Sequence, residues 1–327
     1  MGSVATDDTP HPPVTVLVTG FGPFKKDYPV NPSWEIARSL PDWLPPLRAK
    51  TVTTNPGPDP TTSAPAPKPI PPVRILVHPE PIRVSYTVVR DLAPRLWDGT
   101  SHPPPQAPSK LASSSLSSTS HPGHDHPLNV NQTGDGNGNN SSNPASPPPP
   151  SSSPSSSSSS SSPSRNIDFA IHIGMAGPRH FYSVERRGHR DDYALPDVDG
   201  EHLCDSERRA REGPDWVWEG VPAELLTAFD LDDVARRWRG FCPKHMDLRI
   251  SEDAGHYLCD FIYFSSLAHL YKAGRKRKVL FLHVPSDASE QSVALGRELL
   301  LQLIRSVVES EIARHGSFQG GNEEEVH

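Results

Sequence analysis

Cysteine is scarce in this chain: three residues in 327, an odd number that argues against a disulfide framework and fits a reducing compartment. Long apolar runs are missing too. None approaches the ~20 residues that span a bilayer, and the first residues carry acids and prolines where a secretory leader would carry a basic patch and an apolar core, so the expected location is the cytosol. Basic charge is also in short supply. Lys and Arg number 32 against 39 Asp and Glu, a formal charge of −7, so no general basic field draws nucleic acid or an anionic membrane. The one dense basic run, Arg275 to Lys278, reads as a solvated turn. Hydrophobic residues make up only 34% of the chain, enough core for one domain where the length alone would allow two.

What is abundant is proline, 39 residues of it, together with serine. Residues 99–165 are nearly all Ser, Pro, Gly, Asn and His, a composition that cannot bury enough apolar surface to offset the entropy of ordering it. They read as a disordered insert. A second Pro-rich stretch, Asn55 to Pro72, reads as a loop. The expected layout is a flexible start over 1–12, one domain built from 13–98 and 166–316, the insert at 99–165, and a flexible tail over 317–327.

Within the domain, Val14 to Thr19 is a β-branched run suited to a buried strand and ends in the loop Gly20-Phe-Gly-Pro-Phe24. Asn31-Pro-Ser-Trp then opens a helix, with Asn31 as cap and Pro32 at the first helical position. Arg74 to His78 and Ile82 to Tyr86 look like strands. Thr87 to Trp97 looks helical, with Val88, Leu92 and Leu96 on one side. Ile167 to Ile173 is a core strand running into Gly174-Met-Ala-Gly-Pro-Arg179, and Met246 to Ile250 is a short strand. Ala254 to Ala273 is an apolar helix stopped by Gly274, Val279 to His283 a strand ending in histidine, and Ser289 to Arg314 a long amphipathic helix. Alternating β and α with short links implies a single three-layer α/β/α domain with a mixed, mostly parallel sheet and functional loops at the strands' carboxyl ends.

Singly, the candidate chemical residues have bland readings. Cys259 on an apolar helix could be a buried thiol; near a helix N-terminus, the dipole and free N–H groups favour the nucleophilic thiolate. His283 could be a core histidine satisfied by a carbonyl, although it stands at a strand end. Glu185 alone reads as a surface carboxylate in a charged stretch. Cys204 and Cys242, with His202 and His245 nearby, close into no four-ligand zinc set, and the Gly20 loop lacks the dinucleotide and P-loop spacings. His124-Asp-His126 lies in the insert and reads as compositional.

In combination, five blocks in order resemble the pyroglutamyl peptidase I family: Thr19-Gly-Phe-Gly-Pro-Phe24 with Asn31-Pro-Ser-Trp34, Gly174-Met-Ala-Gly177, Glu185, Asp253-Ala-Gly-His-Tyr-Leu-Cys-Asp260, and Phe281-Leu-His-Val-Pro285. The resemblance implies a cysteine peptidase that hydrolyses the bond after an N-terminal pyroglutamyl residue, with Cys259 as nucleophile, His283 as general base and Glu185 orienting the imidazole. It further implies that Phe21 and Phe24 flank the lactam ring, that Tyr257 and Leu258 complete an apolar wall, and that Asn31 and the Met175 loop offer polar contacts. No cofactor or metal is implied, and the animal branch, which Met175 and Gly188-His189 resemble more than the bacterial one, implies a monomer. Two departures from the bacterial pattern stand out: Met175 where many members carry glutamine, and Ala194 where they carry arginine. The alternative reading is a silent relative that binds partners through the insert, whose Pro147 to Pro150 run could present a polyproline II ligand. A third, an α/β enzyme acting on another small molecule, lacks any phosphate or nucleobase site in the sequence.

Overall fold

The structure, a computed structural model, describes residues 12–24, 26–46, 70–98, 166–177, 179–316 and 318. The insert expected at 99–165, most of the Pro-rich loop, and all of the two expected tails but residues 12 and 318 lie outside the described residues. A six-stranded sheet runs in the order β2-β1-β3-β8-β4-β7, from β1 (Val14–Gly20), β2 (Val73–Val77), β3 (Phe169–Met175), β4 (Tyr182–Glu185), β7 (Leu248–Ser251) and β8 (Val279–Val284). All neighbours are parallel except β4 with β8. A small antiparallel pair, β5 (Arg187–His189) and β6 (Glu224–Leu226), packs on α5.

Six α-helices are described: α1 (Pro32–Arg38), α2 (Tyr86–Asp98), α3 (Asp205–Glu212), α4 (Leu231–Phe241), α5 (Leu258–Lys272) and α6 (Glu290–His315). Period-2 alternation splits the sheet's side chains into two cores. Val16, Val18, Ile171, Ile173, Val184, Leu280 and Leu282 face one way, into a core shared with α1, α4 and α6. Leu17, Ala170, Val279 and Phe281 face the other, into a core shared with α2 and α5. This is the expected three-layer α/β/α domain with a mixed, mostly parallel sheet. Helix α5 has no polar stripe because it is covered on all sides: Phe261, Ile262, Tyr263, Phe264, Leu267 and Leu270 are fully buried.

The structure corrects several readings. Ile82 to Tyr86 is not a strand: Ile82 makes one isolated bridge to Phe21, and Tyr86 opens α2, its N–H held by Asp197 Oδ2 at 3.0 Å. On α2 the buried residues are Tyr86, Val89, Ala93, Leu96 and Trp97, with Val88 and Leu92 half-buried beside them. Helix α5 begins at Leu258, not Ala254, because Gly255 and His256 hold left-handed φ values of 93° and 42° that no helix accommodates. The Arg275–Lys278 run is no simple solvated turn. Lys278 is buried, and its Nζ sits 2.5 Å from the buried Glu311 Oε2 of α6. Glu185 is fully buried rather than a surface carboxylate.

Candidate active site

The same alternation that builds the cores puts the polar groups on one face. On β3, with Phe169, Ile171 and Ile173 turned to one side, His172 and Gly174 turn toward α5. On β8 and β4 the corresponding residues are His283, Ser183 and Glu185. Register closes the group: Gly174 pairs with His283 across the parallel β3–β8 ladder, and Ser183 pairs with His283 across the antiparallel β8–β4 ladder. His283 Nδ1 lies 2.7 Å from Glu185 Oε1, which also accepts from Ser183 Oγ at 3.1 Å. With Nδ1–H donating to the carboxylate, the imidazole presents its Nε2 as the free base. Tyr263 on α5 donates its hydroxyl to Glu185 O at 3.0 Å. Glu185 Oε2 is buried with no hydrogen-bond partner, so the carboxylate's main polar neighbour is the imidazole it holds.

Cys259 is half-buried at the second residue of α5. Its Sγ lies directly over Gly174. A Cβ at that glycine would come within 2.7 Å of the sulfur and 2.6 Å of the Phe281 ring, so only a glycine lets the helix start settle onto the strand beside His283. Cys259, His283 and Glu185 are therefore gathered on one face from three elements far apart in sequence. The N-cap of α5, Tyr257, makes no side-chain cap bond, which leaves the first-turn N–H groups open to an anion.

The thiol itself differs from the sequence expectation. Burial pushes Cys259 up to about 12, with the Glu185 and Asp260 carboxylates adding in the same direction and Arg179 opposing them. The helix terminus, worth about 0.3–1 kcal/mol at such a position, is too small to reverse a shift of that size. At neutral pH the thiol is therefore held in its protonated form. Arg179, the nearby cation, was not among the sequence candidates; the signal for it was its place in the small-residue loop that follows β3.

The residues expected to touch substrate fall into two sets. Phe24 and Tyr257 are partly exposed, with ring centroids 6.4 Å apart, and Tyr257 donates its hydroxyl to Pro196 O at 3.1 Å. Tyr86 meets Tyr257 edge-on at 6.2 Å, and together these rings form an apolar wall. Phe21 and Leu258 are buried in the same core as these rings, and Met175 is buried at the end of β3. The Asn31 side chain is already engaged: it donates from Nδ2 to Gly22 O at 2.9 Å and accepts at Oδ1 from Ser33 N and Ser33 Oγ. It caps α1, as expected, and ties down the Gly20–Phe24 loop.

The description "Pyroglutamyl peptidase" belongs to a family model that matches residues 160–297, the stretch carrying Glu185, Cys259 and His283. Over that stretch the chain is similar to the pyroglutamyl peptidase family. Among curated pyroglutamyl peptidases it is similar to "Pyroglutamyl-peptidase 1" of Rattus norvegicus, 32% identical over 115 residues, 35% of this chain and 48% of the relative. It is also similar to "Pyrrolidone-carboxylate peptidase" of Pyrococcus furiosus, 27% identical over 119 residues, 36% of this chain and 51% of that relative. The chain thus spans about half the length of the curated pyroglutamyl peptidases it matches. The solved pyrrolidone carboxyl peptidase of Thermococcus litoralis shares the fold, with a TM-score of 0.51 at 14% identity over 96% of this chain and 100% of that one.

Proposed function

We propose that the protein is a cysteine peptidase that removes an N-terminal pyroglutamyl residue from peptides. The observation that carries this reading is the 2.7 Å Glu185–His283 contact on the strand face where Cys259 Sγ packs against Gly174. In the proposed cycle His283 Nε2 takes the thiol proton as Sγ attacks the carbonyl carbon between the pyroglutamyl residue and the next amide. Because the resting thiol is neutral, proton transfer and attack are coupled, and the Glu185 carboxylate stabilises the imidazolium as it forms. The oxyanion is accepted by the open N–H groups at the start of α5. The imidazolium then protonates the leaving amine, the C–N bond breaks, and a thioester remains on Cys259. Water, deprotonated by His283, attacks the thioester, releasing free pyroglutamate and regenerating the thiol.

Phe24 and Tyr257 are proposed to bracket the lactam ring, with Phe21, Leu258 and Met175 packing behind them and Asn31 fixing the loop that presents Phe24. The lactam has no charged amine, so its burial avoids the cost of desolvating a charge, while its N–H and C=O need hydrogen-bond partners in the pocket. Among the described residues no helix is long and apolar enough to cross a membrane; with three unpaired cysteines we assign the protein to the cytosol, as a monomer of one domain interrupted between residues 99 and 165. The test is release of a chromophore from a pyroglutamyl amide, run with Cys259→Ala and with a prolyl amide as control. Cleavage of the pyroglutamyl amide alone, lost in Cys259→Ala, supports the proposal. No cleavage by folded protein would refute it.

A further inference from the structure

Next to Cys259 and Glu185 in the chain, three side chains converge that the peptidase reading does not use. His189 of β5, His256 of the loop before α5, and Asp260 of α5 each offer one donor atom, all within 4.8 Å of one another. His189 Nδ1 lies 3.0 Å and His256 Nδ1 3.9 Å from the same oxygen, Asp260 Oδ2. We propose that these residues bind a divalent transition-metal ion of the zinc class.

The donor set argues for that class. Two imidazoles and one carboxylate suit zinc, cobalt or nickel, whereas magnesium and calcium take oxygen donors. Four-coordinate zinc with bonds of about 2.0–2.2 Å separates its ligands by roughly 3.3–3.5 Å, and the spacings here bracket that value. An entering ion needs only small side-chain turns. Three protein ligands leave one position for water, the arrangement of an open rather than a closed site.

The surroundings hold the donors in place. Asp260 is fully buried, and its second oxygen accepts from His189 N at 3.0 Å, which fixes the carboxylate plane. The two imidazole centroids are 4.7 Å apart, and His256 is about a third exposed, so the cluster is open to solvent. His256 has φ of 42°, a conformation that disfavours any residue with a Cβ. The turn that keeps it there is braced by Asp253 Oδ1 accepting from Gly255 N at 2.7 Å. A strained backbone that aims an imidazole at a buried carboxylate is more than a histidine needs for packing. His256 Nδ1 also lies 3.1 Å from Asp191 O, a contact given up when that nitrogen turns to the ion.

The experiment uses the full chain carrying Cys259→Ser, so that the Cys259 sulfur does not compete for the ion, and measures zinc binding by calorimetry and cobalt binding by visible absorption. The expected result is one zinc site whose affinity falls at least tenfold in His256→Ala and in His189→Gln, with cobalt showing four-coordinate bands that both substitutions remove. His256 is partly exposed, so its replacement tests the site without emptying the core; a thermal melt confirms folding of each variant. The double replacement His124→Ala with His126→Ala is expected to leave the site intact. Zinc binding that survives both His189→Gln and His256→Ala, or that disappears with the His124 and His126 pair instead, overturns the proposal. Because every arm lacks the Cys259 thiol, failure here is separate from failure of the peptidase reading.

Discussion

Replacing Glu185 by Gln keeps the shape of the side chain and removes its charge. In the proposed cycle the carboxylate acts when the imidazolium forms, across the 2.7 Å contact to His283 Nδ1. A hydrogen bond to a charged group contributes about 1.5–3 kcal/mol, and the bare Coulomb attraction at that separation is about 6 kcal/mol for an effective dielectric of 20. The loss in the transition state should fall between these bounds, about 2–6 kcal/mol, or roughly 30-fold to 10⁴-fold in kcat at 1.36 kcal/mol per decade. The same carboxylate raises the Cys259 thiol, so its removal should lower that pKa and speed alkylation of Cys259 at fixed pH. Turnover and alkylation should therefore move in opposite directions. Turnover is followed with the pyroglutamyl amide, alkylation by iodoacetamide labelling of the Cys259 peptide in the mass spectrometer, and folding by a thermal melt. If alkylation slows in step with turnover, the resting site is a thiolate–imidazolium pair held together by Glu185, and the neutral-thiol account is wrong.

In the unsubstituted protein, alkylation of Cys259 should rise about tenfold per pH unit from 7 to 10 without the plateau of an ordinary thiol near ~8.5. Because the fold favours the protonated form, that stability is fully present below the unfolded pKa and lost as pH rises toward about 12; a plateau of labelling below pH 9 would contradict it. Gly174→Ala should destabilise by about 1–3 kcal/mol and depress kcat, since its Cβ must displace Cys259 Sγ or Phe281; a variant as stable and active as the parent would show that the helix start has room. Lys278→Met leaves Glu311 charged and buried, and should cost about 3–5 kcal/mol in denaturant unfolding, with the double variant Lys278→Met/Glu311→Leu recovering most of it.

Legibility in the sequence followed the physics of each element. The β-branched strands β1, β3 and β8 were visible because strands buried on both faces carry continuous apolar runs. The cap of α1 was visible because Asn31-Pro32 is a local signal. Strand β4 was hidden: Tyr182-Ser-Val-Glu185 alternates apolar and polar residues, yet its polar face is turned inward against α5, so Glu185 looked like a surface charge. The start of α5 was misplaced because nothing in Ala254 to Tyr257 announces two consecutive left-handed residues. Of the candidate site, residue types and chain order were readable, but the spacing between Gly174, Cys259 and His283 is a property of register and could only be seen in three dimensions. The protonation of Cys259 was misjudged for a related reason. A helix terminus can be read from sequence, whereas the burial and the Glu185 carboxylate of β4, which with the adjacent Asp260 outweigh it, come from packing.

The strand order carries a consequence for when activity can arise. Strand β8 is the last of the described strands in the chain, yet it lies between β3 and β4. Before it enters, the sheet consists of two separate ladders, β2-β1-β3 and β4-β7, with Glu185 on one and the Gly174 seat of the Cys259 sulfur on the other. The strand that joins them also delivers His283. Closing the sheet and completing the triad are therefore a single event, so a nascent or truncated chain ending before Val279 holds a thiol and a carboxylate but no base to connect them. The topology makes the proposed protease incapable of acting until nearly all of its own fold is in place.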